Sequence, residues 1–405
     1  MVTEPSKDER RRRKLEGIRV LDATGVLAGP YCTALLGDLG ADVIKVEQMS
    51  GDVARQVWPA RNKGMSGSFL TLNRNKRSVA FDLSKPRGLK CLLDIARTCD
   101  VFVCNLRPDA IVKLGISYKD IAASSPNIIY CRLSGWGREH KDHDSPAYDD
   151  IIQAASGLVD LLEKSTGAPR YVPMSIVDTV TGMMAAIAIL AALSRTAIAG
   201  GGEEIDVSMY DTMASLVLTS HISGAAFDPP LGPPLATRSV LRSRHPLKTK
   251  GGSISVLPYT DEHWKRFFAA VGRKDLAESP EYRDMSSRSK NFERLHEDIE
   301  GALMEGETDQ WIETFKSLGI PCSIVQSTMD LVEMPELYEA GVLHRMTHPT
   351  EGETMVVGNP IRYGRARSEV PAPAPHHGQH TREVLKEIGY GDDDVGELFA
   401  AGVAK

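Results

Sequence analysis

The sequence predicts an α/β protein: a large domain on a doubly wound parallel sheet, followed by a smaller α+β domain. Three observations carry this. Across residues 17–225, short β-branched runs alternate with helical segments, and strands spaced by helices pair in parallel. Met183 to Leu193 is an apolar run with neither proline nor glycine, the pattern of a helix buried all round. At residues 229–230 and 233–234 two Pro-Pro pairs interrupt the chain, and the segments beyond them mix short strands with amphipathic helices.

Residues 1–16 carry the run Arg10 to Lys14 but no apolar core, which predicts a solvated, disordered leader rather than a targeting peptide. Order is expected from Gly17. Ile18 to Asp22 reads as a strand, Ala28-Gly29-Pro30 opens a helix to Leu39, and Ala41 to Glu47 is a second strand. This βαβ unit has the outline of a dinucleotide-binding half, with Glu47 placed like a ribose-binding acid. The turn reads TGVLAGP rather than GxGxxG, so nicotinamide binding is disfavoured. Further strands are expected at Ser78 to Leu83, Asp100 to Asn105, Ile128 to Leu133 and Glu204 to Met209. Helices are expected at Pro86 to Arg97, Ile111 to Leu114, Tyr118 to Ser124, Ile151 to Leu162 and Asp211 to His221. Ligands of such sheets bind at the carboxyl ends of the strands, which here carry Leu27, Ala28, Arg107 and the turn Gly135-Trp136-Gly137. Arg107 suits a phosphate; a surface ion pair is the competing reading.

Residues 226–345 are read as a linker and the small domain. A basic stretch (Arg238, Arg242, Arg244, His245, Lys248, Lys250) leads to a strand at Ser253 to Leu257 and a helix capped by Asp261. That stretch fits either a solvated linker or a subsite for an anionic acid. Two amphipathic helices and the strand Ser323 to Val325 complete the domain. Residues 346–405, with a Pro/Ala spacer from Val370 to Pro375 and a helix from Thr381 to Ile388, are expected to return to the large domain.

The net charge of −6 excludes a typical nucleic-acid binder. No apolar run is read as long enough to span a membrane. The six cysteines stand singly without a CxxC, arguing against a zinc site or disulfide framework and for free thiols in a reducing cytoplasm. No metal site is expected. Asp178 stands just ahead of the apolar run, at the positive end of a helix dipole. An acid there is expected to stay ionised, as a nucleophile or, more plainly, as a helix cap.

Eleven stretches in order resemble the class III CoA-transferases. Among them are VLDATGVLAGPYCTALLGDLGADVIKVE, LNRNKRSVAFDL, VCNLRPDAIVKLGI, LSGWG, YDDIIQAASGL, VDTVTGMMAAIAILAAL and IDVSMYDT. That family includes formyl-CoA transferase and the carnitine CoA-transferases, and extends to the α-methylacyl-CoA racemases. The resemblance implies an interlocked homodimer with no tightly bound cofactor, acting on acyl-CoA and a small carboxylic acid. It implies that Asp178, in the segment Asp178 to Gly182, attacks the donor thioester to form an anhydride and then an aspartyl-CoA thioester. It further implies a CoA seat of Leu27 and Ala28 at the first turn, with Phe81, Asp82, Leu83 and Ser84 on the nucleotide. Asn105, Leu106, Arg107 and Lys113 would lie on the phosphates, with Tyr148 and Asp149 near the thioester. Formyl-CoA transferase has Gln at the position of Leu27 and His at that of Gly25, so oxalate chemistry is not implied. The racemases place a catalytic His where this chain has Tyr148, and a phenol, unlike an imidazole, offers no general base near neutral pH. An acyl-CoA epimerase, a non-catalytic CoA-binding scaffold and CoA transfer within one diacid are the rival readings.

Overall fold

The computed structural model describes residues 14–364 and 371–405. The leader up to residue 13 and Val370 of the spacer lie outside the described residues. Order begins earlier than Gly17: Leu15 is buried, and its amide donates to the Leu39 carbonyl at 3.0 Å.

The chain forms two compact units, one of Met1–Ser156, Val172–Leu216 and Pro335–Lys405, the other of Gly157–Tyr171 and Val217–Met334. Residues 157–171 and 217–225, expected with the large domain, thus fold with the smaller unit, and residues 335–345, expected with the small domain, fold with the larger one.

In the larger unit the elements run β1 (Arg19–Ala23), α1 (Ala28–Asp38), β2 (Asp42–Glu47), α2 (Gly67–Leu72), β3 (Lys76–Ala80) and α3 (Pro86–Ala96). Then follow β4 (Val101–Cys104), α4 (Pro108–Leu114), α5 (Tyr118–Ala122), β5 (Ile129–Ser134) and α6 (Asp149–Ala155). After α7 (Leu158–Thr166), which belongs to the smaller unit, come α8 (Ile176–Ala199), β6 (Glu203–Ser208) and α9 (Met209–His221), whose last turn belongs to the smaller unit. All six strands pair in parallel, in the order β3-β2-β1-β4-β5-β6. The continuous Ile151–Leu162 helix expected from the sequence is two helices, because Gly157 adopts φ 87° between α6 and α7.

Successive strand residues point to opposite faces, and both faces are covered. On one, Leu21, Ile44 and Phe102 pack with Leu92 and Ile95 of α3 and with Leu385 of the returning segment. On the other, Val20, Val43 and Val103 meet Cys32 and Leu36 of α1 and Ala185 and Ile189 of α8. This is the doubly wound arrangement.

α8 departs from expectation in two ways. It has 24 residues and is long and apolar enough to cross a membrane, by length and composition alone. It is also not buried all round. Val177, Thr181, Gly182, Ala185, Ala186, Ile189 and Ala192 form the packed stripe at helical spacing, while Met183, Met184 and Ile187 are exposed. The run is apolar on every side, yet one side alone meets α1, β5 and β6.

The smaller unit has an antiparallel sheet of Leu247–Thr249, Gly252–Val256 and Cys322–Ile324. Helices Asp261–Ala270, Phe292–Leu303 and Thr308–Ser317 close a core of Trp264, Phe267, Phe268, Leu295 and Phe315. Thr260, not Asp261, caps the first of these helices, its hydroxyl accepting from the His263 amide; Asp261 pairs instead with Arg288.

Residues 371–405 dock on the larger unit. Arg77 binds Glu383 and Glu387, the Ser78 amide donates to His380 Nδ1, and Thr381 Oγ1 accepts from the Ala80 amide.

Candidate active site

The strand order reverses between β1 and β4, and the carboxyl ends of these two strands form the crevice where doubly wound sheets take ligands. Asn105, just past β4, crosses it: its Oδ1 accepts from the Gly25 amide at 3.0 Å and its Nδ2 donates to the Gly25 carbonyl at 2.9 Å. The next amide, Val26, donates to Asp52 Oδ1 at 3.1 Å, with Val26 itself at φ 70°. Both turn amides that would cradle a phosphate are therefore occupied by side-chain oxygens. Asp52 is held in turn by Lys45 at 2.9 Å, beneath which Asp22 and Lys76 pair, all buried. Two lysines and a cluster of hydroxyl donors outweigh the burial penalty and hold the Asp22 carboxyl far below its usual range.

Glu47 does not act as a ribose-binding acid. It is 3% exposed, forms a two-pronged pair with Arg55 at 2.7 Å for each oxygen, and accepts from Ser78 and the Asp52 amide. Burial is opposed and overcome by these donors, so its pKa falls to about 2. No free oxygen chemistry is left for a sugar.

Asp178 lies in the first turn of α8, not ahead of it. Nor does it cap the helix. The cap comes from outside: Asp149, opening α6, accepts from the Val177 amide at 2.9 Å and the Asp178 amide at 3.1 Å through Oδ2. Its Oδ1 accepts from Gln153 at 2.6 Å, and Gln153 Oε1 accepts from the Val172 amide at 2.8 Å. Gln153 is fully buried, so this bridge fixes the approach to α8. Among the described residues no donor reaches the Asp178 carboxylate. Burial, and then the charge of Asp149, raise its pKa to about 6. The expected stabilisation by the helix end is thus outweighed, because its amides are already neutralised by a second carboxylate. At pH 7 about nine in ten such groups are still ionised.

Gly182 places this turn. A Cβ there would lie 2.6 Å from the Ala28 carbonyl and 3.1 Å from Tyr31, so only glycine lets α8 settle on the start of α1. Leu27 and Tyr31, with Met174, Ser175 and Thr179, line an open cavity of about 590 Å³. Gly135 and Gly137 serve the same loop system; Cβ atoms there would meet Ala147 at 2.3 Å and Asp211 at 2.2 Å.

The structure thus brings together Leu27, Ala28, Asp149 and Asp178, with Tyr148 exposed beside Asp149 and Asn105 anchored to the first turn. Arg107 and Lys113 are exposed at the two ends of α4, and among the described residues neither has an ion-pair partner. The alternative reading of Arg107 as a surface ion pair therefore fails. Leu106 packs at the edge of the core. Phe81 is fully buried and bridges Ala404; Asp82 Oδ1 accepts from the Ser84 amide and hydroxyl, and Leu83 is half-buried. The Phe81 ring is consequently unavailable to stack on a nucleotide. Gln153 and Asp52 were missed. The four-residue spacing of Asp149 and Gln153 on a helix was a usable signal; Asp52 also accepts locally from the Ala54 amide at 2.9 Å, and its hold on Val26, 26 positions away, leaves no trace in the sequence.

Residues 15–381 match the model of CoA-transferase family III. Succinyl-CoA:glutarate CoA-transferase of Homo sapiens is 32% identical, over 98% of this chain and 92% of that one. Succinyl-CoA:mesaconate CoA-transferase of Haloarcula hispanica is 30% identical, over 93% of this chain and 97% of that one. The crystal structure of Rv3272 from Mycobacterium tuberculosis superposes with a TM-score of 0.80 at 29% identity, covering 92% of this chain and 98% of that one. With the parallel sheet and the crevice at its switch point in agreement, the chain belongs to CoA-transferase family III and is a CoA-transferase.

Proposed function

We propose that the enzyme moves CoA from an acyl-CoA donor to a carboxylic acid through covalent intermediates on Asp178. One observation carries the reading: Asp178 is a part-buried carboxylate with no donor of its own, raised to about 6 yet still mainly ionised at neutral pH. A carboxylate shielded from water and more basic than usual is the stronger nucleophile. Its oxygen attacks the thioester carbonyl, the C–S bond breaks, and CoA leaves as thiolate from an aspartyl mixed anhydride. The thiolate then attacks the aspartyl carbonyl, the donor acid leaves as its carboxylate, and an aspartyl-CoA thioester forms. The acceptor carboxylate repeats the two steps in reverse order, taking CoA and restoring Asp178.

In this reading Leu27 and Ala28 seat CoA beside the first turn, and Arg107 and Lys113 meet its phosphates, which their exposure and freedom from carboxylates support. Asn105 acts by holding the turn, Leu106 by packing beneath it. The Phe81–Ser84 segment offers Leu83, Ser84 and backbone rather than the Phe81 ring. Tyr148 and Asp149 stand at the thioester, Asp149 as the group that positions α8. The relatives named for succinyl-CoA with glutarate or mesaconate favour a dicarboxylic acid as one substrate. The working unit is an interlocked homodimer, supported by the exposed apolar side chains of α8. The cytoplasm is the proposed compartment, since all six cysteines are free thiols.

Hydroxylamine added with donor acyl-CoA is expected to convert Asp178 to a hydroxamate within the peptide from Tyr171 to Arg195, and to do nothing without donor. Asp178→Asn should lose several orders of magnitude in turnover. Asp149→Asn retains a capping oxygen, so it should slow turnover and still form the adduct. Near-normal transfer by Asp178→Asn, or a label on Asp149, would overturn the assignment.

A further inference from the structure

The smaller unit holds a second cavity, of about 270 Å³, formed entirely by its own residues. Its floor is apolar: Leu247, Ile254, Trp264, Leu295 and Ile299 are all buried. Its rim carries Arg238, Arg244 and His245, His296 is buried beside the floor, and among the described residues no acidic side chain lines it. Further along the same unit, Arg266, Arg273, Arg283, Arg288 and Arg294 each hold a carboxylate. Among the described residues Arg238 and Arg244 hold none. The Arg238 guanidinium lies over the Phe292 ring at 5.1 Å, and the His245 and His296 rings meet edge to face at 4.9 Å. Burial, and then His245, keep His296 below its ordinary pKa, with Glu300 acting in the opposite sense.

We propose that this cavity binds a small organic carboxylate, its head on Arg238 and Arg244 and its carbon chain on the buried floor. Guanidinium groups without protein carboxylates, above a mainly apolar floor, match an anion that also has apolar surface to bury. A bare phosphate would gain nothing from the floor, and an uncharged alcohol nothing from the rim. The volume of about 270 Å³ lies just below the usual range of ligand sites, which suits a short acid rather than a CoA ester. This is the class of molecule that a CoA-transferase takes as acceptor. The assignment stands on the cavity and does not depend on the role given to Asp178.

Calorimetry on the full chain, without acyl-CoA, tests it with glutarate and hexanoate, against hexan-1-ol and inorganic phosphate as probes. One or both acids should bind, and Arg238→Gln/Arg244→Gln should weaken that binding at least tenfold. Both arginines are exposed, so the double variant should melt like the wild type. Binding should persist within twofold in Asp178→Asn, separating this site from the catalytic turn, and in Arg242→Gln, which lies outside the lining. A tenfold rise in acceptor KM in the double variant, with the acyl-CoA KM unchanged, would identify the acid as substrate. Unchanged kinetics with lost binding would identify it as an effector. Acids that bind no better than hexan-1-ol or phosphate, or that bind the double variant as they bind wild type, would overturn the proposal.

Discussion

Asp178 and Asp149 show how two carboxylates on neighbouring helices divide their work. Asp149 takes the amides that open α8, and its charge then acts on Asp178 together with burial. A folded-state pKa raised to about 6 has a consequence for stability. The unfolded chain gives up this proton near pH 3.9, the folded chain two units later, so stability that Asp178 contributes in acid is lost as pH rises through about 6. At neutral pH the carboxylate therefore costs the fold about 1–3 kcal/mol. Asp178→Asn should melt at higher temperature than the wild type at pH 7.5, and the advantage should vanish below about pH 4. Equal melting curves at pH 7.5 would mean that Asp178 is better solvated than its position implies. The sequence made Asp178 visible by resemblance and by its place before an apolar run. It did not show the capping from α6, which joins residues 28 and 29 positions apart. Glu47, whose ribose-acid position was noted beside a turn that disfavoured a nucleotide, hides its partners in the same way. Its strand-end position is legible in sequence, whereas Arg55 and Ser78 reach it only through the fold.

At the scale of elements, the six strands and the helices between them were readable because β-branched runs and helical periodicity alternate cleanly, with ends displaced by a few residues. The break at Gly157 and the short helix α2 were not readable, since a single left-handed glycine and a six-residue helix leave no periodic signature. The contact of α8 with α1 is the junction on which the site depends. Gly182→Ala puts a methyl group where a backbone carbonyl already stands, and neither helix can yield locally. Destabilisation of about 1–3 kcal/mol is expected, measurable by urea denaturation. Because the first turn of α8 would be displaced from Leu27, turnover should fall by more than stability alone requires. Unaltered stability and rate would show that α8 tolerates a shift.

For the molecule as a whole, Met183, Met184 and Ile187 put exposed apolar surface on the side of α8 that faces away from the sheet, which is what the proposed dimer would cover. Light scattering should give a dimer mass that survives dilution to micromolar concentration, and a monomer mass there would remove the interlocked arrangement from consideration. The strand order β3-β2-β1-β4-β5-β6 is the one used by dinucleotide-binding sheets, and order alone would have suggested a pyrophosphate at the first turn. Here Asn105 and Asp52 answer the Gly25 and Val26 amides from within the chain. A tethered oxygen competes at an effective concentration that a free nucleotide must exceed before it can enter. Two side chains thus occupy the amides in advance, and a ligand that enters the crevice has to be held by groups other than these.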